Sequence, residues 1–553
     1  MIKYPNKKSI LFILILSCGF VGFSQKAPSN PLPRPRLVVG IVVDQMRWDY
    51  LYRYYERYQP NGFKRMLNEG FSCENTSINY TPTVTAIGHA TTYTGSVPAI
   101  HGIAGNDFII QATGQGMYCT DDSTVSTVGS SSVSAGRMSP RNLLTSTIGD
   151  ELKLATNLRS KVIGVALKDR GSILPAGHLA NAAYWFDGKS GNFITSTYYM
   201  TQLPDWVKKF NEKQLPAKYL AKDWNTLYDI KTYIQSFPDD NPYEGLYSGH
   251  KKPVFPILTS GMYKNNFDIL RSSPHGNTLT VEMAKAVIEN EGLGKGKETD
   301  LLAVSFSTPD YIGHKMGINA IEIEDTYLRL DIELASFFTF LDNKVGKGNY
   351  TVFLTADHGA AHNPNLLMDL NVPAGLWPSG KIQNELNKLL DEKFGVKDIV
   401  RRFSNSQVNL NTSKLKAHNL DEEAIKKTIV KFLREQPGVL FVADLNNLNE
   451  APLPDILVSR LKNGYNSDRS GSIAIVLEPG WYSGSPGATG TTHGTWYGYD
   501  AHVPLIWMGW GVKKGSTVRS VHTTDIAATL AALLHIQAPN GNIGEPIIEL
   551  LKP

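Results

Sequence analysis

The 553-residue sequence contains only three cysteines, Cys18, Cys73 and Cys119. Removal of an N-terminal leader would leave two, which is too few for a zinc site built from thiolates. Any metal ion in this protein must therefore be held by histidine and carboxylate side chains. Cys73 and Cys119 could form a disulfide in an oxidising compartment, and the alternative of two separate buried thiols is equally open.

The sequence also lacks an excess of charge of either sign. Its 55 basic and 51 acidic residues give a formal net charge of +4, and no long basic run is present. This near-balance gives no reason to expect a nucleic-acid-binding surface. Hydrophobic residues make up 42% and charged residues 19%, which is the composition of an ordinary globular protein.

Long hydrophobic runs are absent as well. The apolar stretch 10–23 is too short to predict a membrane span, and no other segment has transmembrane character. Lysines precede this stretch, and Gly22-Phe23-Ser24 offers a small-x-small cleavage site. The pattern predicts a signal peptide over 1–24, so we expect an exported, periplasmic protein without a transmembrane span in the mature chain. Lipid anchoring through Cys18, in Ile15-Leu16-Ser17-Cys18, is the alternative.

The sequence does contain short, continuous apolar runs that end in polar residues. After a proline-rich linker over 25–36, such runs lie at 37–45, 161–171, 300–314 and 349–359. They are typical of strands buried on both faces of a parallel sheet. Helical patterns lie between or after them, at 280–290, 320–342 and 523–536. The alternation predicts an α/β fold, an α/β/α sandwich with a central, mostly parallel sheet.

Two long segments interrupt this alternation. Residues 172–280 are rich in Tyr, Trp, Pro and Asn, and we interpret them as an insertion over the sheet edge. Residues 363–490 are interpreted as a second insertion, with a helix at 420–435 and strands at 438–443 and 471–477. One domain would then span 37–553 and carry both insertions.

Polar residues at the strand ends form a pattern of three aspartates and three histidines. These residues are Asp44, Asp310, His314, Asp357, His358 and His493. Open α/β sheets bind ligands at the carboxyl ends of their strands, and zinc accepts imidazole and carboxylate ligands when thiolates are absent. Six ligands divide into two sites of three. Two metal ions can stabilise both the attacking and the leaving oxygen of a phosphoryl displacement.

Each of these residues alone has an ordinary structural explanation. Asp44 could cap a helix, Asp310 and His314 could form a surface i,i+4 pair, and a single histidine is more often a hydrogen-bonded core residue. The prediction of a metal site therefore depends on the joint pattern.

Five motifs stand in the order found in the alkaline phosphatase superfamily. They are Val43-Asp44-Gln45, Thr83-Val84-Thr85-Ala86, Asp310-Tyr311-Ile312-Gly313-His314, Ala356-Asp357-His358-Gly359 and Thr492-His493-Gly494. From about residue 37 onward the chain resembles this superfamily, and above all its PafA-type periplasmic alkaline phosphatases, which use a threonine nucleophile. The resemblance implies one zinc held by Asp310, His314 and His493. It implies a second zinc held by Asp44, Asp357 and His358, with the nucleophile as a further ligand.

The resemblance maps the nucleophile to Thr85, in a segment with several other threonines. The residues that follow can start a helix, and a helix N-terminus favours anions. Thr81 and Thr83 have the simpler explanation of turn or capping residues around Pro82, and a structural role is expected for His89.

Three further residues bear on the reaction class. Asn106 maps to an amide that donates to a phosphoryl oxygen, although the residues alone favour a turn. Lys168 and Arg170 are two positions apart, so on an extended backbone both would face one side; the alternative is a pair of solvated charges. A phosphate monoester dianion carries a negative charge that a diester lacks, so two cations beside the metals would bind the monoester more strongly. The resembling monoesterases carry this Lys-x-Arg element, and the diesterase branch lacks it.

We therefore expect an alkaline phosphatase that hydrolyses phosphate monoesters of broad range through a covalent phosphothreonine at a two-zinc site. One alternative is a phosphodiesterase or nucleotide pyrophosphatase of the same superfamily. A non-catalytic zinc- or phosphate-binding protein is a further alternative. The resemblance favours a monomer.

Overall fold

The structure is a computed structural model that describes residues 32–264 and 266–551. The described residues from Arg34 onward form one compact unit. The predicted signal peptide over 1–24, the Cys18 motif and most of the linker over 25–36 lie outside the described residues. Their assignments stay predictions.

The strands are, in chain order, β1 (Leu37–Val43), β2 (Phe71–Cys73), β3 (Thr76–Ser77), β4 (Asp107–Ile110), β5 (Gln115–Tyr118), β6 (Thr127–Val128), β7 (Val162–Ala166), β8 (Ala182–Asp187), β9 (Asn192–Ser196), β10 (Asp300–Phe306), β11 (Tyr350–Thr355), β12 (Gly375–Trp377), β13 (Val400–Ser404), β14 (Gln407–Leu410), β15 (Val439–Asp444), β16 (Ile473–Leu477), β17 (Trp481–Ser483), β18 (Leu505–Gly509), β19 (Gly515–Thr517) and β20 (Val521–His522). Ten of them form the central sheet in the order β19-β2-β18-β11-β1-β10-β7-β8-β9-β6.

The α-helices are α1 (Tyr50–Arg53), α2 (Phe63–Glu69), α3 (Thr85–Thr94), α4 (Pro98–His101), α5 (Ile148–Ala155), α6 (Asp169–Ala176), α7 (Asp205–Glu212), α8 (Leu215–Leu220), α9 (His275–Glu291), α10 (Thr308–Met316), α11 (Ile321–Leu341), α12 (Pro364–Asp369), α13 (Ser379–Phe394), α14 (Thr412–Ala417), α15 (Glu422–Arg434), α16 (Asp455–Gly464), α17 (Gly498–Ala501) and α18 (Asp525–Leu534). None of the helices in the described part of the chain combines the length and the apolar character needed to cross a bilayer.

The four apolar runs form the centre of the sheet, as predicted. Strands β11, β1, β10 and β7 lie side by side in parallel, and β8 extends the parallel part. Antiparallel pairs follow at both sides, β11 with β18 and β8 with β9. The sheet is therefore mixed, with a parallel centre that brings the carboxyl ends of five strands to one edge.

Strand β1 is buried on both faces, which explains its continuous apolar sequence. Val39 and Ile41 belong to one hydrophobic core, together with residues of α9 and α11. Val38 and Val42 belong to a second core on the other face, together with residues of α5 and α18. Helices on both faces confirm the predicted α/β/α sandwich.

Part of the second interrupting segment forms a smaller sheet of its own. Strands β13, β14, β16 and β15 pair in that order, and α13 and α15 cover them around a separate hydrophobic core. In the first interrupting segment, β8 and β9 belong to the central sheet. The part of this segment that lies outside the central sheet therefore begins after Ser196 and ends where α9 begins.

The two cysteines of the described region are separate buried thiols. Burial raises the pKa of the Cys73 thiol to about 12, and it also raises the pKa of Cys119. The structure therefore supports the second of the two alternatives left open by the sequence.

Helix α3 approaches the end of β11 so closely that only glycine fits at position 88. A Cβ atom on Gly88 would lie 2.5 Å from the Asp357 carbonyl oxygen and 2.7 Å from its Cα. This contact fixes the first turns of α3 against the segment that carries Asp357 and His358.

We predict that Gly88→Ala destabilises the protein by about 1–3 kcal/mol, because the methyl group meets main-chain atoms that cannot move freely. Gly380 is the matched control, since it is an exposed helical glycine with no atom within 4 Å of an added Cβ. Gly380→Ala should stabilise by up to about 1 kcal/mol. Denaturant unfolding of both variants checks this, and equal stability of the two would contradict the proposed packing.

Candidate active site

Parallel pairing places the predicted site residues that follow β1, β7, β10 and β11 at one edge of the sheet. Asp44 directly follows β1, Asp310 lies in the first turn of α10 after β10, and Lys168 follows β7. Asp357 and His358 follow β11. His493 comes from the segment between β17 and α17. Residues that are far apart in sequence are thus brought together, as the strand-end pattern predicted.

The acidic residues and histidines form two overlapping groups. Ligand atoms of Asp310, His314 and His493 lie within 4.8 Å of one another, and so do those of Asp44, Asp310 and His358. Asp310 therefore lies between the two groups.

Asp357, which the resemblance places in the second set, is not a member of the buried group but lies beside it. His358 Nε2 is 3.6 Å from Asp357 Oδ2 and 3.6 Å from Asp44 Oδ1. The group with His314 and His493 faces solvent more than the group around His358, which is fully buried.

The spacing of Asp310 and His314 on α10 places both on one helix face. His314 Nε2 lies 3.1 Å from Asp310 Oδ1, as the i,i+4 spacing allows. His493 Nε2 lies 3.7 Å from the same oxygen. The sequence left open whether Asp310 and His314 form an i,i+4 pair or belong to a ligand group. In the structure they do both.

Backbone carbonyls determine which nitrogen each histidine offers to a ligand. The Nδ1 atoms of His314, His358 and His493 lie 2.9, 3.0 and 2.7 Å from the carbonyl oxygens of Thr491, Gly359 and Thr83. A carbonyl can only accept, so Nδ1 carries the proton and Nε2 presents a lone pair. This arrangement is typical of metal-binding histidines.

The buried carboxylates fit a cation. Asp44 Oδ1 is buried and has no hydrogen-bond partner among the described residues, and the buried Asp357 Oδ2 lies 3.2 Å from His89 Nδ1, which donates to the Thr85 carbonyl. Burial and the charge of Asp357 raise the pKa of Asp44 well above its ordinary value, although Lys168 opposes this. Buried carboxylate oxygens next to imidazole Nε2 atoms are a donor set that suits a divalent metal of the zinc type.

Lys168 supplies the positive charge nearest to these carboxylates. Its Nζ lies 2.6 Å from Asp44 Oδ2, 2.6 Å from Asp310 Oδ2 and 3.5 Å from Thr85 Oγ1. Burial alone would lower the pKa of Lys168, but Asp310 and Asp44 raise it above its ordinary value. The side chain is therefore an ammonium ion at physiological pH.

Thr85 is the first residue of α3 and is almost fully buried. Its Oγ1 lies 3.5 Å from His358 Nε2, in addition to the contact with Lys168. The side-chain carbonyl of Asn106 accepts a hydrogen bond of 2.9 Å from the Ala86 amide. Asn106 thus caps α3, and its NH2 group is the part that can donate to a ligand.

The prediction of an extended backbone from Lys168 to Arg170 is wrong. Lys168 is extended, but α6 begins at Asp169, because this aspartate suits the first turn of a helix. Both cations nevertheless line one cavity. Arg170 Nη1 donates to the Tyr118 hydroxyl at 3.0 Å, and Tyr118 in turn donates to Asp169. Nothing in the sequence indicated this role of Tyr118.

Gln45 supports the metal-ligand candidates and was missed as a site residue. It adopts φ +66°, a conformation that non-glycine residues rarely adopt. Its Nε2 donates to Asp310 Oδ1 at 2.7 Å, and its main-chain amide donates to Asp357 Oδ1 at 3.1 Å. Its position directly after Asp44 was the available signal.

His89 holds the turn of α3 that carries Thr85. Its Nδ1 donates to the Thr85 carbonyl at 2.9 Å and lies 3.2 Å from Asp357 Oδ2. Its Nε2 lies 2.8 Å from Ser305 Oγ on β10. The structure thus supports the structural role expected for His89, and the i,i+4 spacing from Thr85 explains its position.

The assembled geometry combines a buried hydroxyl, a neighbouring ammonium and an amide donor with two groups of metal-ligand candidates. A hydroxyl in this setting can attack an electrophile whose anionic oxygens are held by the cations and the amide.

Comparisons with known proteins agree with this geometry. The profile of the type I phosphodiesterase/nucleotide pyrophosphatase family matches residues 38–500. A Myroides odoratus protein named calcium-transporting ATPase is 56% identical over 98% of this chain and 99% of its own length. Alkaline phosphatase PhoV of Synechococcus elongatus is 51% identical over 94% of this chain and 93% of its own.

A third relative and a solved structure are both named PafA. Alkaline phosphatase PafA of Elizabethkingia meningoseptica is 48% identical over 99% of both chains. A crystal structure of wild-type alkaline phosphatase PafA superposes with a TM-score of 0.93, at 49% identity, and the match covers 95% of this chain and 100% of that one. A PafA variant substituted at a threonine, an asparagine, a lysine and an arginine superposes with a TM-score of 0.92.

We predict that chelation lowers the melting temperature and that zinc restores it, because a bound cation relieves the repulsion among Asp44, Asp310 and Asp357. An ion at 100 times its dissociation constant adds about 2.7 kcal/mol. Asp310→Ala, which removes the shared carboxylate, should weaken the effect, and the exposed control Asp205→Ala should retain it. If a chelator leaves the melting temperature of the unsubstituted protein unchanged, this result would contradict the metal site.

Proposed function

Because this chain belongs to the type I phosphodiesterase/nucleotide pyrophosphatase family of the alkaline phosphatase superfamily, we propose that it is an alkaline phosphatase that hydrolyses phosphate monoesters. The observation that carries the proposal is the position of Lys168, whose ammonium lies next to Thr85 and in the same cavity as Arg170. Its PafA and PhoV relatives bear the name alkaline phosphatase, which supports it.

Thr85 is the proposed nucleophile. Its Oγ1 attacks phosphorus in line with the leaving group, and a phosphothreonine forms as the bond to the leaving oxygen breaks. Water then hydrolyses this ester and regenerates Thr85. The neighbouring Lys168 ammonium, 3.5 Å away, favours the ionised hydroxyl. The buried position at the start of α3 excludes bulk water from the attacking atom.

Three side chains are proposed to hold the transferred phosphoryl group. The NH2 group of Asn106, the ammonium of Lys168 and the guanidinium of Arg170 donate to its non-bridging oxygens. A monoester dianion presents three such oxygens and two charges, whereas a diester presents one charge. Cations beside the phosphoryl group therefore favour monoesters. The residue types substituted together in the PafA variant are the same four as Thr85, Asn106, Lys168 and Arg170.

Two zinc ions are the proposed cofactors. Asp310, His314 and His493 would hold one of them, and Asp44, Asp357 and His358 the other, with Thr85 as a further ligand. Such ions supply positive charge to the attacking and leaving oxygens and lower the pKa of a hydroxyl. The buried oxygens of Asp44 and Asp357 support this donor set.

Two other activities use the same site. A phosphodiesterase or nucleotide pyrophosphatase would need Lys168 and Arg170 to be dispensable. Hydrolysis of ATP, suggested by the name of the Myroides relative, is closely related chemistry, because the terminal phosphoryl group also presents three non-bridging oxygens. Turnover of p-nitrophenyl phosphate, bis-p-nitrophenyl phosphate and ATP by the zinc-loaded protein separates these activities. Metal binding without turnover would indicate the non-catalytic alternative.

Export to the periplasm, a monomeric state and a broad substrate range complete the proposal. Export is supported by the signal-peptide pattern over 1–24 and by the extracytoplasmic setting of the resembling enzymes. Detection of enzyme activity in the periplasmic fraction of the native host, with a processed N-terminus, tests it.

We predict that Thr85→Ala reduces kcat/KM for p-nitrophenyl phosphate by roughly 10⁴-fold or more, because no other group can form the covalent intermediate. Bound zinc should remain, since the aspartates and histidines are unchanged. Thr85→Ser, which keeps the hydroxyl, should retain partial activity and still trap labelled phosphate after acid quench. Normal turnover by Thr85→Ala would overturn the nucleophile assignment.

We predict that Lys168→Ala combined with Arg170→Ala lowers kcat/KM for the monoester at least 10-fold more than for the diester, because only the monoester carries the second charge. Lys381→Ala combined with Arg401→Ala removes two exposed cations of the smaller sheet region and should leave both constants unchanged. Equal losses on both substrates would remove the basis for choosing a monoesterase.

A further inference from the structure

A cavity with an unusual lining opens next to His493. It has a volume of about 260 Å³, and its walls include Trp377, Phe403, Tyr482, Trp496 and Tyr497. We call it the aromatic pocket, defined by these five residues and His493. In the described part of the chain, no lysine, arginine, aspartate or glutamate lines it.

Two pairs of neighbouring aromatic residues build the walls from different parts of the chain. Trp377 of β12 stacks on Phe403 of β13, with ring centroids 5.6 Å apart. Trp496 and Tyr497, which follow the Thr492-His493-Gly494 motif, have centroids 4.9 Å apart. The Phe403 and Trp496 side chains are only half-buried, so their remaining surface is available to a ligand.

The pocket is tied to the catalytic loops by the smaller sheet. The turn between β13 and β14 has positive φ at Asn405 and Ser406, which is typical of a tight hairpin. Asn405 Nδ2 donates to the Asp107 carbonyl at 2.8 Å, beside Asn106. The pocket wall therefore keeps a fixed position relative to the proposed phosphoryl site.

A second cavity, of about 740 Å³, lies on the Lys168 side of the site. We call it the cationic cleft, and Lys168, Arg170, Lys189, Arg271 and Lys315 line it together with three aspartates. Lys168, which lines the cationic cleft, and His493, which lines the aromatic pocket, lie nearest to different oxygens of Asp310. Lys168 Nζ is 2.6 Å from Oδ2, whereas His493 Nε2 is 3.7 Å from Oδ1.

The cationic cleft is lined by charged side chains and the aromatic pocket is not, so the two cavities suit different parts of a substrate. The phosphoryl dianion is attracted to Lys168 and Arg170, on the side of the cationic cleft. With the phosphoryl group bound there, the leaving group would extend past Asp310 toward His493. A charged leaving group would lose its hydration in the aromatic pocket without a partner of opposite charge. An uncharged planar ring would instead stack on Phe403 or Trp496.

We propose that the aromatic pocket binds the leaving group of the substrate and, within a broad substrate range, favours phosphate monoesters whose leaving group carries an uncharged planar aromatic ring. The inference depends on the proposed phosphatase function and names the substrate class of that same site. Two sources supply this chemistry, namely the base of a nucleoside monophosphate and the ring of a simple aryl or benzyl phosphate.

The test compares AMP with ribose 5-phosphate, because both leave through the same primary alcohol and differ in the base. We expect kcat/KM for AMP to exceed that for ribose 5-phosphate about tenfold, as expected for one stacked ring. Phe403→Ala combined with Trp496→Ala should bring this ratio close to one, and Trp496→Phe should retain most of it. Tyr228→Ala, an exposed aromatic residue outside the pocket, should leave the ratio unchanged.

The ratio of kcat/KM for benzyl phosphate to that for ethyl phosphate distinguishes a nucleoside base from the ring of a simple aryl or benzyl phosphate. An advantage for benzyl phosphate equal to that for AMP indicates a pocket that holds one ring of either source. An advantage confined to AMP indicates the nucleoside. Either result supports the proposal, provided that the double variant removes the advantage.

Failure of this inference is distinguishable from failure of the proposed function. Equal kcat/KM for AMP and ribose 5-phosphate in the unsubstituted protein would overturn the aromatic pocket and leave the phosphatase intact. An unchanged ratio in a folded double variant would do the same. Absence of turnover on every monoester would overturn the proposed function itself, and the pocket with it.

Discussion

The burial of three carboxylates around one ammonium is the constraint on which the site depends. Asp44, Asp310 and Asp357 are all removed from water, and ionised groups in such a place are costly unless opposite charge compensates them. Lys168 compensates two of them directly. One ammonium cannot balance three carboxylates, so the site is built to accept further cations. Its affinity for metal and its need for Lys168 have the same electrostatic origin.

Main-chain groups hold this charge arrangement in place. Each imidazole of the site is oriented through Nδ1 by a carbonyl oxygen, and the Gln45 amide and side chain orient two of the carboxylates. Apart from the contact between His358 and its neighbour Gly359, these contacts join segments separated by more than 100 residues. The rigid parallel sheet makes them possible, because it sets the distances between strand ends to those of neighbouring strands. The ligand geometry is thus determined largely by the scaffold.

The two sides of the site divide recognition between charge and shape. The cationic cleft is continuous with the residues proposed to hold the phosphoryl group, whereas the aromatic pocket is uncharged and lies partly in the smaller sheet region. A scaffold of this kind can keep the phosphoryl chemistry constant while the smaller sheet region changes the leaving groups accepted. The hairpin contact between Asn405 and the Asn106 loop explains how such a region stays in register with the chemistry.

The fold class, the central strands and the candidate metal-ligand residues are predictable from the order of amino acids, because buried parallel strands have continuous apolar runs and polar residues at their ends. Motif order, through resemblance, determined the choice of Thr85. The remaining features depend on tertiary packing. It replaced the expected extended backbone after Lys168 with a helix that begins at Asp169, kept Cys73 and Cys119 apart, and brought Tyr118, Gln45 and His89 to the site. It also formed the aromatic pocket from strands and loops distant in sequence. Local sequence patterns record burial and periodicity, but which side chains meet depends on how distant strands and loops pack.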